Sequence, residues 1–444
     1  MVKNMKVLAA VTVIILFGAS FAFAQEEEGG FDFGLSIGIG ANTIGGEPYS
    51  SFILSPDIAI GKFGIGLELI LNYQMNEPFP DSIRTEDWAP SGDQTFLDVY
   101  LPKFRYIRYG FKGEPLYVKL GSIDDAILGN GFIMNGYDNT LFLPERRIFG
   151  LSFDLDGALF NFPYIGIETF VGNLAQLDVM GVRTFVRPLA FTEIPVIKDL
   201  QVGGTFATDR KPGLYDPSAT GDEDPVMVYG ADIRLPILTN QILSLALFSD
   251  IAAMQIHNDS DTGVGGMVGF GGRLFGFMNY GAQIRILGAD FIPNYFDYAY
   301  DMFRYENYVD LINDKYGDRT GWLGSLGFAF LDDALIFNVV VEGPFALSGP
   351  ATGLDDWPHL SAAFILGEGI VPNLSLEAIW DQPGLGRDET FFKDILSAKD
   401  AVFVARVNYS IEAAVLSLVY QYTKNPVTGL WESKSGIQSA IKLF

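Results

Sequence analysis

The 444-residue chain is acidic, with 54 Asp and Glu against 29 Lys and Arg, and it has no cysteine. Disulfides, thiolate metal sites and cysteine nucleophiles are therefore excluded. Nucleic acid is a poor partner because its binders need clustered basic charge. Apolar residues make up 49% and charged residues only 19%, below the roughly 25% charged of a soluble domain, which fits a protein that meets both lipid and water.

The chain opens with Lys3 and Lys6, an apolar run from Val7 to Phe17, and Ala22-Phe23-Ala24. This is the n-region, h-region and small-x-small cleavage order of a secretory signal peptide. The expected organisation is a cleavable signal peptide at 1–24, a short acidic segment at 25–30 and one membrane domain at 31–444. Cleavage removes basic residues and no acidic ones, so the mature chain becomes more negative. No later stretch reaches the ~18 uninterrupted apolar residues of a spanning helix. An exported apolar chain without helical spans is a soluble all-β protein or a closed barrel, since only helices and barrels satisfy their backbone in lipid.

From Phe31 the period is two. Phe31, Phe33, Leu35, Ile37 and Ile39 alternate with small or polar residues, as do Phe63, Ile65, Leu67, Leu69, Leu71 and Tyr73. Strand side chains switch faces at every residue, so each run has one apolar face. Such runs recur at lengths near the ~9–11 residues of a tilted transmembrane strand. They predict about twenty strands, between sixteen and twenty-two given the uncertainty of strand ends. The strands fall near 31–41, 49–60, 63–74, 96–109, 115–121, 147–156, 164–173, 179–189, 199–209, 226–237, 241–252, 264–274, 277–289, 320–331, 334–343, 358–368, 373–381, 400–411, 413–423 and 433–443. Short turns at Gly61-Lys62, around Gly113, near Thr239-Asn240 and Gly276, and at Asp332-Asp333 alternate with long connections at 75–95, 122–146, 210–225, 253–263, 290–319, 344–357 and 382–399. Short turns at one end and long loops at the other are the pattern of an outer-membrane barrel. The expected fold is therefore all-β: one closed antiparallel transmembrane β-barrel with short periplasmic turns, long outer loops and both termini on the periplasmic side. Pro102, Pro188 and Pro236 fall inside expected strands and predict bulges or strand ends.

The chain ends in Phe444. Here it resembles porin-like outer-membrane β-barrel proteins of diderm bacteria, whose last strand finishes on an aromatic residue read by the barrel-assembly machinery. Lys442, Ala440 and Gln438 stand where that pattern has apolar residues, while Leu443, Ile441 and Ile437 carry the other face. The resemblance covers the mature chain by architecture. It implies the outer membrane as location, and the assembly machinery, periplasmic chaperones and outer-leaflet lipid, of lipopolysaccharide or another type, as partners. It implies no cofactor.

Catalysis has little to draw on. His257 sits among loop residues and His359 follows Trp357-Pro358. His359-Leu360-Ser361 lacks the Asn-Gly of outer-membrane phospholipases, and His257 with Asp259 or Asp250 is a weak match to the acid-His pairs of outer-membrane proteases. The chain reads as a non-enzyme. Asn258-Asp259-Ser260-Asp261-Thr262-Gly263 alternates oxygen donors as calcium loops do but lacks the closing Glu, leaving Asp259 and Asp261 as a casual calcium pair. The glycines of Gly263-Val264-Gly265-Gly266-Met267-Val268-Gly269 have no following helix or Lys-Ser/Thr for phosphate, and read as small residues on an inner wall.

The polar strand face is the candidate functional surface. If the apolar face meets lipid, the lumen receives Glu68, Lys103, Arg105, Asp154, Asp156, Glu168, Arg183, Arg187, Asp232, Arg234, Arg273, Arg285, Glu342, Glu377, Asp381 and Arg406. A lipid-facing Arg or Lys at mid-depth costs about 2–4 kcal/mol, so this many charges at one period call for a hydrated interior. They form either a salt-bridged wall or a field that orients polar solutes. The connection at 122–146 carries Ile127, Leu128, Phe132, Ile133 and Met134, which water alone does not favour. With Asp124, Asp125, Asn130, Phe132, Asn135, Tyr137 and Asp138 it either folds into the lumen as a constriction or extends two strands outward. Tyr305, Tyr308, Val309 and Ile312 are at helical spacing, predicting a helix over the outer mouth or an adhesive surface. The leading function is passive diffusion of small polar solutes through a barrel wide enough for an aqueous lumen. The alternatives are a transporter of hydrophobic substrates, or a structural or adhesive barrel with functional outer loops.

Overall fold

The computed structural model describes Phe31 to Lys442, apart from 45–46, 75–81, 91–94, 144–145, 193, 241, 258–261, 314–315, 332–333, 348–355, 388–389, 398–399, 412–413 and 426–427. The expected signal peptide, the acidic segment, terminal Phe444 and the calcium pair Asp259 and Asp261 lie outside the described residues.

Alternation drives the wall. The strands are β1 (Phe31–Ile44), β2 (Glu47–Ile60), β3 (Phe63–Leu67), β4 (Leu69–Tyr73), β5 (Phe104–Tyr109), β6 (Leu116–Gly121), β7 (Ala126–Ile127), β8 (Asn135–Tyr137), β9 (Gly150–Asp156), β10 (Ile165–Val171), β11 (Val179–Val186), β12 (Gln201–Asp209), β13 (Val226–Thr239), β14 (Ser244–Ile256), β15 (Thr262–Leu274), β16 (Met278–Leu287), β17 (Arg319–Phe330), β18 (Leu335–Leu347), β19 (His359–Val371), β20 (Leu374–Gln382), β21 (Val402–Ile411), β22 (Ala414–Lys424) and β23 (Trp431–Lys442). Among the described residues, three α-helices sit in the connections: α1 (Phe96–Tyr100), α2 (Tyr300–Ile312) and α3 (Phe391–Ser397). On β15, exposed Val264, Val268 and Phe270 alternate with buried Gly265, Met267 and Gly269. One face thus looks outward as an apolar belt, and Ile251, Ile284 and Ile286, 58%, 56% and 68% exposed, continue it around neighbouring strands. No helix among the described residues is long and apolar enough to cross a membrane.

Each barrel strand pairs antiparallel with its neighbours, and β23 returns to β1 in the register Ile37↔Ile441. The result is a closed 20-strand barrel, with β3 and β4 as the halves of one strand and β7 and β8 as a separate hairpin. Closure matters because it leaves no strand edge unpaired. Connections at 61–62, 110–115, 240–243, 275–277, 331–334, 372–373 and 412–413 are short. Those at 74–103, 122–149, 210–225, 288–318, 348–358 and 383–401 leave from the opposite end and are long. At that same end the connections at 45–46, 172–178, 257–261 and 425–430 are short, and 187–200 at the other end is longer; the long connection expected at 253–263 shrinks because β14 runs on to Ile256 and β15 begins at Thr262.

Three local departures from the expected strands have physical causes. Residues 96–103, expected as strand, form α1 and a 3-10 turn, and Pro102 lies in that turn, where it leaves no ladder bond unmade. Glu68 interrupts the third strand because its N–H donates to Lys103 O at 2.8 Å instead of to the ladder. Pro236 sits at a register shift between β13 and β14, and Pro188 lies beyond the end of β11.

Candidate functional site

The largest buried apolar cluster among the described residues lies inside the barrel. Two long connections fold into the lumen and pack there. The first, 122–149, contains the β7–β8 hairpin, and the second, 288–318, contains α2. They meet backbone to backbone: Asn294 N–H donates to Phe132 O at 2.7 Å, Phe296 N–H to Ile133 O at 3.2 Å, and Asn135 N–H to Phe296 O at 3.2 Å. Phe132 stacks on Phe291 with ring centroids 5.3 Å apart. Leu128, Phe132, Ile133 and Met134 are buried against Phe170, Val179, Ala207, Val228, Met254 and Met267 of the inner wall. Leu128 to Met134 of the 122–146 connection thus pack against the wall strands.

Glycines on the wall admit these segments. A Cβ on Gly263 would lie 2.3 Å from the Asp290 backbone, and one on Gly265 would lie 2.3 Å from Phe291 Cδ1. The glycine stretch is thus the floor on which 290–291 rests. The helix expected from Tyr305, Tyr308, Val309 and Ile312 is α2, and most of it is buried rather than free to adhere.

Charge fastens the same elements. Arg304 of α2 is 1% exposed. Its Nη1 donates to Asp178 Oδ2 at 2.9 Å and its Nε to Asp209 Oδ2 at 2.6 Å, with Asp301 Oδ1 3.6 Å from Nη1. Tyr137 Oη donates to Asp301 Oδ2 at 3.0 Å, tying the hairpin to the helix. Three carboxylates around one guanidinium leave acid in excess. Burial, opposed by Arg304 and reinforced by Asp178, pushes the Asp301 carboxyl up to about 7. Burial likewise pushes Asp138 up to about 7, although Thr140 hydrogen bonds favour its charged form.

The expected lumen residues divide into groups. Arg183 lies under the inward hairpin, 2.8 Å from Asp232 Oδ2 through Nε and 3.0 Å from Glu168 Oε1 through Nη1. Gly129 N–H donates to the same Glu168 at 3.0 Å, and Asn130 Nδ2 donates to Asp250 Oδ1 at 2.8 Å. Arg187 pairs with Asp156, and Asp154 with Lys112, both at 2.7 Å. Arg285 pairs with Glu342. Arg234 and Arg273 share the inward parity of buried Asp232 and Met267 but are exposed. In the hairpin loop, Asp124 pairs with Lys119 at 3.0 Å, Asp125 borders the lumen, and Asn135, Phe132, Tyr137 and Asp138 take part in the packing above.

Glu68, Lys103, Arg105, Glu377 and Arg406 line a single open cavity of about 1910 Å³ on the other side of the lumen. Arg84, Asp87 and Arg147 border it near the long-loop end, while Glu368, Val415 and Ala440 border it near the short-turn end. Arg147 pairs with Glu68, and Arg105 with Asp57. Lys103 lies 4.3 Å from the Trp88 ring centroid, and burial lowers its ammonium to about 8. Sequence reasoning missed Arg84, Asp87, Lys103's aromatic partner, Arg147, Asp178, Asp209 and Arg304. Most lie in connections or at strand ends, where alternation gives no signal, and only the acid-rich, aromatic 295–316 stretch hinted at the last.

No known protein family matches the chain, and no curated protein matches it. Among solved structures it is similar to OpdK of Pseudomonas aeruginosa crystallised with vanillate, at 10% identity over 93% of this chain and 98% of that one, TM-score 0.36. It is similar to the outer membrane protein OprD of the same organism at 8% identity over 94% of each chain, TM-score 0.32. It is also similar to OmpT of Vibrio cholerae, expressed in the outer membrane, at 8% identity over 94% of this chain and 99% of that one, TM-score 0.31. At these scores the likenesses assign no function.

Proposed function

We propose that this protein is an outer-membrane channel through which small polar solutes diffuse, along the cavity between the inward segments and the wall formed by β1–β6 and β20–β23. One observation carries the proposal: the cavity of about 1910 Å³ is bordered by charged and polar side chains from near both ends of the barrel, while the outer face is apolar. An apolar exterior suits lipid and a hydrated polar interior suits solute passage. In this reading 1–24 directs export and is removed, the long loops face outward, the barrel-assembly machinery inserts the chain, and outer-leaflet lipid surrounds it. Glu68, Lys103, Arg105, Arg147, Glu377 and Arg406 set the field that a solute meets. The hairpin at 126–137 and the α2 segment narrow the lumen by occupying space beside the cavity. Swelling of liposomes loaded with a large polymer tests the proposal. Entry of small sugars and amino acids, falling steeply with solute size, supports it; no swelling with the folded barrel inserted overturns it.

A further inference from the structure

Three donor groups from separate segments meet where the inward connection touches the wall. Asp297 belongs to the 288–318 connection, His359 opens β19 and Asp381 lies on β20. One donor atom from each lies within 4.8 Å of the other two. His359 Nε2 is 3.1 Å from both oxygens of Asp381, and Nδ1 is 3.8 Å from Glu342 Oε1. Ser361 Oγ donates to Asp381, and Arg285 holds Glu342. His359 and Asp381 are buried. Beside them is a small cavity of about 50 Å³ bordered by Asp297, His359 and Glu342.

We propose that Asp297, His359 and Asp381 form a site for one divalent transition-metal ion, which fastens the inward connection to the barrel wall. An imidazole nitrogen with two carboxylates is a donor set for Zn²⁺ and its neighbours, whereas Ca²⁺ and Mg²⁺ favour oxygen alone. Three protein ligands leave a coordination position open. The cavity beside the group has room for a water at that position, since one water needs roughly 10–15 Å³ of such space. Glu342, facing the second ring nitrogen, takes the place of the outer carboxylate that orients a metal-bound histidine. The ion would join two elements, so Asp297 couples metal binding to the position of the connection that narrows the lumen.

The competing state is a protonated His359 paired with the same carboxylates and no metal. Calorimetric titration of Zn²⁺ into the folded, chelator-treated barrel in detergent micelles separates the two, with excess Mg²⁺ present to occupy casual carboxylate sites. The expected result is one saturable equivalent per chain, weakened at least ~10-fold in Asp297→Asn and in His359→Ala, less in Glu342→Gln, and unchanged in Asp199→Asn on the exposed short-turn side. Co²⁺ should give the visible bands of a four- or five-coordinate ion. Circular dichroism and the gel mobility of unheated protein show which variants fold, and Asp297→Asn, which leaves the wall intact, decides the matter if His359→Ala does not. No saturable equivalent in the parent protein, or the same affinity in folded Asp297→Asn, overturns the proposal and leaves His359 as an ion-pair partner.

Discussion

Replacing Arg304 with methionine keeps an unbranched side chain of similar reach and removes the charge. Asp178, Asp209 and Asp301 are then left buried, 1%, 0% and 5% exposed, with no guanidinium between them. Removing one partner of a buried ion pair costs about 3–5 kcal/mol, because the remaining charge is uncompensated. At about 1.4 kcal/mol per tenfold, the ratio of docked to undocked α2 falls roughly 10²- to 4 × 10³-fold. Asp301 sets the pH dependence. Its carboxyl is raised from 3.8 to about 7 in the docked state, so docking binds a proton. The part of docking that Asp301 supplies is therefore fully present below pH 4, is lost as pH climbs toward 7 and changes no further above that. The Arg304→Met channel should be wider and noisier at pH 8 and quieter at pH 5, and amide exchange across 291–312 should rise while exchange in the strands does not. Unchanged conductance and exchange in the folded variant would refute the assignment of Arg304 as the anchor of the inward helix.

Other outcomes follow from the same geometry. Deleting 128–136 removes the hairpin that packs with α2 inside the barrel and should raise single-channel conductance; an unchanged value sinks the inward-constriction reading. In Gly265→Val the new side chain starts 2.3 Å from the buried Phe291 ring, and overpacking of this kind costs about 1–3 kcal/mol. The barrel's circular dichroism should persist while exchange at 288–299 rises, and protection equal to the parent's would count against the docking. Lys103, lowered to about 8, loses its charge between pH 7 and 9. Cation preference measured by reversal potential should grow over that interval, and Lys103→Met should flatten the change. A pH response that survives the substitution would place its source elsewhere.

The barrel was legible because lipid and lumen impose opposite chemistry on successive residues. Val264, Val268 and Phe270 against Gly265, Met267 and Gly269 announce β15 without any structure. The apolar content of Leu128 to Met134 likewise announced that the connection needed something to pack on. What it packs on was hidden. Gly265 reads as an inner-wall position, but nothing in the chain says that Phe291 covers it. The break at Glu68 was unreadable for a similar reason, since its N–H finds Lys103 O across a long connection. Residues 96–103 were misread because Phe96, Val99 and Leu101 fit a strand as easily as a turn of helix. The Arg304 cluster and the Asp297–His359–Asp381 group join residues far apart in the chain. Spacing carries no trace of such meetings, which barrel closure and loop folding create.

Planar-bilayer recording on the purified, folded protein tests the central claim most directly. A solute channel predicts stable, stepwise conductance at moderate voltage that increases when 128–136 is deleted. Absence of conductance steps from inserted, heat-modifiable barrels, with and without that deletion, would contradict it.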